Sequence, residues 1–235
     1  MRFASALATD PGHVRAVNED SCAIDQDHGC YVLSDGMGGG PDGQVASQIV
    51  CAVMIKKLCL DDAIDEAVKA AHLALRLDSR RRSGTRNSGA TLAALRLNGE
   101  RYDIVWIGDT RIYRWNGRLT LLTCDHSVVQ GLLSSGAISA DEVADHPYRH
   151  NLTQVLGKTD PEELKPEYMS GKVYPGERYL LCSDGLYGEL SGEQFNDILG
   201  QNLDARETAQ KLVDTVLQGP AADNLSVIVV DILED

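Results

Sequence analysis

This sequence predicts an α+β sandwich, with sheet packed on sheet and helices outside, and three observations carry the prediction. Strand-length apolar runs recur along the chain, at residues 29–33, 90–97, 178–183 and 225–232. Two-residue turn signals, Asn98-Gly99 and Asn116-Gly117, join strand-like segments into antiparallel hairpins. Two pairs of helical segments add to these strands, some with apolar residues at helical spacing. Many hairpin strands plus two helix pairs fit two packed sheets with helices outside. No Pro/Ser-rich linker and no tandem repeat divides the 235 residues, so a single domain over 1–235 is expected.

Taken in order, 3–9 and 21–27 alternate loosely as strands, and 29–33 is short and apolar. A helix should follow from about Gly43, with Val45, Ile49 and Val53 on one stripe and Val50, Met54 and Leu58 beside it. A second helix should start near Asp61 as its N-cap, with Ile64, Val68, Ala71 and Leu75 on one face. The basic stretch Ser79-Arg80-Arg81-Arg82-Ser83-Gly84-Thr85-Arg86 reads as a solvated loop, with docking of an acidic partner as the alternative. Strands resume at 90–97 and return at 101–107. Segments 111–115 and 118–123 repeat the device. Residues 126–160 turn polar and helical, with Ser139 and Glu142 at capping-box spacing. An insertion of this kind, near residues 128–165, reads as a surface flap. After a strand at 178–183, Ser191 with Gln194 and Asp204 with Glu207 give two more capping-box spacings. The second of these helices carries Ala209, Leu212, Val213 and Val216 on one face, and 225–232 closes the chain as a buried strand.

Composition excludes several functions. Lys+Arg number 22 against 35 Asp+Glu, a net charge of −13, so nucleic acid and anionic membranes would be repelled. Aromatics at 5% leave little for base stacking. No apolar run approaches the roughly 18–20 residues of a membrane span. Asp10 follows Met1 too soon for the apolar region of a signal peptide, so a cytoplasmic location is expected. Six cysteines without a CxxC pair read as free thiols in a reducing compartment, not as disulfides or a zinc site.

Two segments echo each other. Val32-Leu33-Ser34-Asp35-Gly36-Met37 and Leu181-Cys182-Ser183-Asp184-Gly185-Leu186 each place a carboxylate at the end of an apolar strand, with a glycine that lets the backbone turn. Asp-Gly alone is also an ordinary turn. Asp109 follows another apolar strand, Asp223-Asn224 precedes the last one, and Asn18-Glu19-Asp20 precedes the strand at 21. If these ends converge, the acids share a small volume. At an effective dielectric of 20, a pair ~4 Å apart repels by about 4 kcal/mol, and divalent cations would offset that. Oxygen donors without His or Cys suit magnesium or manganese and disfavour zinc. Arg15, five residues before Asp20, suits two phosphate oxygens, with a plain surface arginine as the alternative. Competing signals are weak: Gly38-Gly39-Gly40 lacks the rest of a phosphate loop, and Pro147 separates His146 from His150. No Gly-x-Ser-x-Gly occurs, and Ser134 and Ser135 have no nearby base.

In order, the segments resemble the metal-dependent serine/threonine phosphatases, the PPM or type-2C family, in its stand-alone bacterial form. The matching pieces are Thr9-Asp10-Pro11-Gly12-His13-Val14-Arg15 with Asn18-Glu19-Asp20, Ser34-Asp35-Gly36-Met37-Gly38-Gly39, Ser88-Gly89-Ala90-Thr91, Gly108-Asp109-Thr110-Arg111, Cys182-Ser183-Asp184-Gly185-Leu186 and Asp223-Asn224-Leu225-Ser226. The resemblance implies a four-layer αββα sandwich of two antiparallel sheets flanked by helix pairs, with two to three manganese or magnesium ions at one end. It implies that Asp35 bridges two ions and the Gly36 carbonyl binds the first, that Asp184 and Asp223 bind the second, and that Asp109 with Asp184 holds a third. Glu19 and Asp20 would act through water, Arg15 would hold substrate phosphate, and Thr91 and Asn224 would stand behind the ligands. The implied reaction is direct attack of a metal-bridging hydroxide on phosphoserine or phosphothreonine in proteins, without a phosphoenzyme. The implied partners are phosphorylated proteins, a Ser/Thr kinase or its substrates, with the phosphatase acting as a monomer. Two positions depart from the family: Met37 stands where animal members often carry His, and Gly40 where many bacterial members do. The proton for the leaving alkoxide would then come from metal-bound water or from His126, with a structural role for His126 as the alternative.

Overall fold

The computed structural model describes residues 1–83 and 88–234. Eleven strands and seven helices are found among the described residues. One sheet has the order β1-β11-β10-β7-β8, formed by β1 (Arg2–Asp10), β11 (Leu225–Leu233), β10 (Arg178–Cys182), β7 (Arg111–Trp115) and β8 (Leu119–Leu121). The other has the order β2-β3-β5-β6-β9, formed by β2 (Asp20–Asp25), β3 (Cys30–Met37), β5 (Leu92–Asn98), β6 (Arg101–Ile107) and β9 (Glu167–Lys172), with the short β4 (Gly89–Ala90) also on β3. Every pairing between these strands is antiparallel.

The central strands carry long apolar runs because both of their faces are covered. Side chains alternate between two destinations. Tyr31, Leu33, Leu95, Ile104, Tyr179, Leu181, Ile228 and Val230 point between the sheets and form the middle core. Val32, Ala94, Val105 and Ile107 point the other way, against α1 (Pro41–Cys59) and α2 (Ile64–Ser83) through Val50, Met54, Leu58, Val68 and Leu75. Leu180, Cys182, Val227 and Val229 do the same in the first sheet, against α6 (Gly192–Leu199) and α7 (Ala205–Val216) through Phe195, Leu212 and Val213. Three apolar layers thus separate four structural layers, as the sequence predicts. Each fully buried large aliphatic side chain contributes about 1.5–3 kcal/mol of transfer free energy.

Local chemistry sets the helix ends. Pro41 opens α1 after Gly40, whose φ of +64° favours glycine. In α1 the Val50, Met54, Leu58 stripe is the fully buried one, and Val45, Ile49 and Val53 are half-buried beside it. Asp61 does not cap α2. It sits in the left-handed region, φ +58°, in the turn between the helices, and α2 begins at Ile64. Both capping boxes form: Gln194 N donates to Ser191 Oγ (3.2 Å) at α6, and Glu207 N donates to Asp204 Oδ1 (2.8 Å) at α7.

The basic stretch is not a loop over its first part, because α2 continues to Ser83. Residues 84–86, the rest of that stretch, lie outside the described residues. Two elements go unread in the sequence: β9 on the sheet edge and the four-residue α5 (Asp184–Tyr187). Between β8 and β9, α3 (Val128–Ser134) and α4 (Ala140–Val143) lie in a largely exposed segment. The Ser139 capping box forms there, with Glu142 Oε2 accepting from Ser139 N at 2.8 Å. The far end of the segment is not surface. Leu156 is fully buried, bridges to Ala90, and joins the core under α2.

Candidate active site

Strand register gathers the acids at one rim. Asp20 opens β2 and pairs directly with Asp35 near the end of β3. In the other sheet, Cys182 of β10 pairs with Val227 of β11, so Asp184, just past β10, adjoins Asp223, just before β11. Asp109 follows the end of β6. Cross-sheet bonds then close the rim. Ser183 Oγ donates to Asp20 Oδ2 at 2.6 Å, and Glu19 N donates to Asn224 Oδ1 at 2.8 Å.

The two Asp-Gly turns need their glycines for space. A Cβ on Gly36 would lie 2.0 Å from the Gly43 carbonyl oxygen, and one on Gly185 would lie 2.1 Å from that of Asn224. Any side chain at either place would push the rim apart. Thr91 fixes the backbone of Asp35 from both sides. Its Oγ1 accepts from Asp35 N at 2.9 Å, and its own N donates to Asp35 O at 2.8 Å. Thr91 Oγ1 also hydrogen-bonds Thr110 Oγ1. Asn224 is a buried joint, with Nδ2 donating to the carbonyls of Pro11 (2.9 Å) and Val17 (3.1 Å). Both residues touch the acids' supports.

The acids feel one another. Burial pushes the Asp35 carboxyl well above the usual carboxylate range, and Asp20, Asp184, Asp109 and Asp223 push it further. Burial raises Asp20 to about 7, against hydrogen bonds from Ser183 and Ser226, with Asp184 and Asp223 raising it too. Asp109 rises to about 8 through burial, then Asp184 and Asp125, with Arg111 opposing. Asp184 is raised by burial and by Asp223, and Glu19 by burial, with Arg15 opposing. Arg15, half-exposed, donates from a terminal guanidinium nitrogen to Asp223 Oδ2 at 2.7 Å.

This donor set fits hard divalent cations. All its donors are oxygens, and two of them, Glu19 Oε1 and Asp20 Oδ1, are buried without a hydrogen-bond partner. Such orphaned anionic oxygens call for positive charge, and Arg15 supplies only part of it. Among the described residues, no three of these acids bring carboxylate oxygens within 4.8 Å of one another. They are spread along a rim, which suits more than one ion.

A cavity of about 550 Å³ opens on this rim, lined in part by Arg15, Asp109, Asp184 and Asp223. Its walls include residues to which the sequence assigned no role. Arg111 makes a two-pronged ion pair with Asp125 (3.0 and 2.7 Å) and stacks 3.7 Å over the Tyr187 ring. Tyr187 OH in turn donates to the Asp109 carbonyl at 3.0 Å. Arg149 and His150 of the flap line the same cavity, and His150 Nδ1 lies 4.0 Å from Asp184 Oδ2. No sequence signal ties residues 149 and 150 to the acids. His126 takes another role: it is buried, and its Nδ1 accepts from Gly108 N at 3.3 Å. Its Nε2 faces Glu167 at 3.6 Å, so it braces the turn that carries Asp109.

The family follows from comparison. The protein phosphatase 2C profile matches residues 12–223, which span every acid of the rim. This chain belongs to the protein phosphatase 2C family. Within that family it is 35% identical over 239 residues to the serine/threonine protein phosphatase PstP of Mycobacterium tuberculosis, a match covering 97% of this chain. The chain spans 45% of that relative's length. The crystal structure of the Mycobacterium tuberculosis serine/threonine phosphatase PstP/Ppp superposes with a TM-score of 0.91 at 34% identity, covering 100% of both chains. The PstP catalytic domain in complex with two manganese ions gives a TM-score of 0.87 at 33% identity, with 99% of both chains covered. The protein phosphatase 2C fold is therefore the fold of this chain.

The raised carboxyls link stability to pH and cations. Between about pH 4, where free carboxyls titrate, and about pH 7–8, the folded rim holds more protons than the unfolded chain does. The rim's contribution to stability is therefore undiminished below that window and falls as pH rises through it. In the presence of a chelator, the melting temperature is expected to fall from about pH 5 to about pH 8.5. Manganese should raise it more at the upper end. A manganese shift of equal size at both ends would contradict this reading of the rim.

Proposed function

We propose that this chain is a metal-dependent serine/threonine protein phosphatase, one phosphatase domain over residues 1–235 with a flap at about 128–165. The observation that carries the reading is the gathering of five acids on one rim, with Asp20 paired to Asp35 in register and Asp109, Asp184 and Asp223 lining a cavity with Arg15. Membership of a phosphatase family and the two manganese ions of the PstP catalytic domain support it. On this reading Asp35, the Gly36 carbonyl, Asp184 and Asp223 hold two manganese or magnesium ions, Asp109 with Asp184 holds a third, and Asp20 and Glu19 act through water. When bound, the cations supply Lewis acidity and make a water acidic enough to attack phosphorus near neutral pH.

The chain's own residues do the rest. Arg15 is half-exposed, so its guanidinium can leave Asp223 for two oxygens of the substrate phosphate. Thr91 and Asn224 hold the backbones that carry the acids, so the ligands are fixed before substrate arrives. His150 lines the cavity 4.0 Å from Asp184, and we assign it the proton donation that Met37 cannot make. Arg149 adds positive charge to the same flap wall, which suits a phosphorylated segment of a protein. Phosphorylated proteins are therefore the proposed substrates, with a Ser/Thr kinase or its targets as the opposing pathway and a monomer as the acting unit. Among the described residues no helix is long and apolar enough to cross a membrane. A cytoplasmic setting is the proposed location, consistent with opposing a kinase there.

Two measurements test this. Hydrolysis of an aryl phosphate should require manganese or magnesium. Asp35→Asn and Asp184→Asn should each lower kcat/KM by about 100-fold or more. The same changes should raise the melting temperature in chelator, because each removes a repelled charge. Full activity in either variant would refute the site, and hydrolysis of aryl phosphate without any phosphopeptide would redirect the substrate to a small metabolite.

The second concerns His150. His150→Ala should lower kcat on a phosphoserine peptide by about 10²-fold or more and leave the aryl phosphate, whose leaving group needs no proton, within a few-fold. Equal losses on both substrates would remove His150 from the proton-donor role.

A further inference from the structure

The hairpin that carries Asp20 and Asp35 at one end carries a different donor set at the other. In its register Asp25 pairs with Cys30, five residue steps from the Asp20–Asp35 pair, or roughly 17 Å along the strands. The connecting turn is held in place. Gly29 N donates to Gln26 O (3.1 Å) and Leu97 N to Gly29 O (2.8 Å), while Gln26 Oε1 accepts from Ser5 N (3.0 Å) and Ser5 Oγ (2.8 Å). A Cβ at Gly29, φ +64°, would meet the Leu97 carbonyl oxygen at 2.4 Å, so the turn is pressed onto β5. Into this turn the last residue of α1 brings Cys59. Asp25 Oδ1 accepts from His28 N (3.0 Å) and lies 2.9 Å from His28 Nδ1, and Cys59 Sγ donates to Asp25 Oδ2 at 3.2 Å. One ligand atom from each of Asp25, His28 and Cys59 lies within 4.8 Å of the other two.

We propose that Asp25, His28 and Cys59 form a zinc-binding site that clasps the β2–β3 turn to the C-terminal end of α1. One oxygen, one imidazole nitrogen and one sulfur make a borderline donor set. It suits zinc and is poor for magnesium or manganese, the reverse of the acidic rim. Zinc bonds of about 2.0–2.3 Å in a tetrahedron put ligand atoms about 3.3–3.8 Å apart. His28 Nδ1 lies 2.9 Å from Asp25 Oδ1 and Cys59 Sγ 3.2 Å from Asp25 Oδ2, and one oxygen already lies within 4.8 Å of both, so rotation of the Asp25 carboxylate with a small side-chain movement presents a single oxygen to the ion. His28 is exposed, which leaves the fourth position to water. Burial and the hydrogen bond to Asp25 raise the Cys59 thiol above its usual value, so it keeps its proton until a metal displaces it, and Cys30 Sγ donates to the His28 carbonyl at 3.4 Å behind it.

The surrounding charge is mixed. The carbonyls at the end of α1 favour a cation. Arg96, the nearby guanidinium, is engaged by Asp61 (3.3 Å) and Asp103 (3.5 Å), and Lys57 by Asp62 (2.9 Å). Binding exchanges the Cys59 thiol proton for zinc and releases that proton to water. This site is not legible from spacing, because Asp25 and His28 stand 31 or more residues from Cys59 and match no metal spacing.

Cobalt titration of the reduced full chain tests the site, because only sulfur ligation gives a thiolate-to-cobalt charge-transfer band. The band should saturate at one cobalt per chain and disappear on addition of zinc but not of magnesium. It should be absent in Cys59→Ser, and His28→Ala should weaken cobalt binding by about 10-fold or more. Cys59→Ser should keep metal-dependent hydrolysis at the acidic rim, which shows that the variant is folded. No charge-transfer band in the wild type, a band that persists in Cys59→Ser, or a Cys30–Cys59 disulfide in the freshly isolated chain would each overturn the proposal.

Discussion

Mutual repulsion among carboxylates held by strand register is the constraint on which the rest of this structure turns. Asp20 and Asp35 face each other across one strand pair, and Asp184 and Asp223 flank the ends of another. None of these can drift away, because each sits where a strand buried on one or both faces begins or ends. A pair of such charges ~4 Å apart at an effective dielectric of 20 costs about 4 kcal/mol. The three apolar layers are what make that cost bearable, and cations are what would remove it. An acidic rim with orphaned oxygens at Glu19 and Asp20 is a poor design for a structural end of a sandwich and a good one for a cation site.

The supports show how narrowly the rim is built. Thr91 and Asn224 spend their side chains on backbone atoms, and Ser183 bonds Asp20 across the gap between sheets. Gly36 and Gly185 leave room where another chain segment passes at contact distance. These residues do no chemistry of their own. They join the ends of two sheets into one surface, and their loss would be felt as misplacement of the acids.

Much of this was legible in the sequence, for identifiable reasons. Strands buried on both faces carry near-continuous apolar runs, so β3, β5, β10 and β11 announce themselves. The acids were legible because each follows or precedes such a run, and the two Asp-Gly echoes mark equivalent ends of different sheets. What escaped depends on tertiary contact. β9, Glu167–Lys172, is a mostly exposed edge strand without alternation, and only pairing with β6 makes it a strand. The α2 helix runs on through Arg80 and Arg81, where a cluster of like charges suggested a loop. His150 reaches Asp184 only because the flap folds back over the rim. His126 stood out by sequence position, yet its ring is committed to Gly108 and Glu167.

The most direct test of the central claim is anomalous scattering from crystals of this chain grown with manganese. The account requires at least two strong peaks between the two sheet ends, ligated by Asp35 together with Asp184 or Asp223. Peaks lying elsewhere, or none in fully loaded crystals, would contradict it.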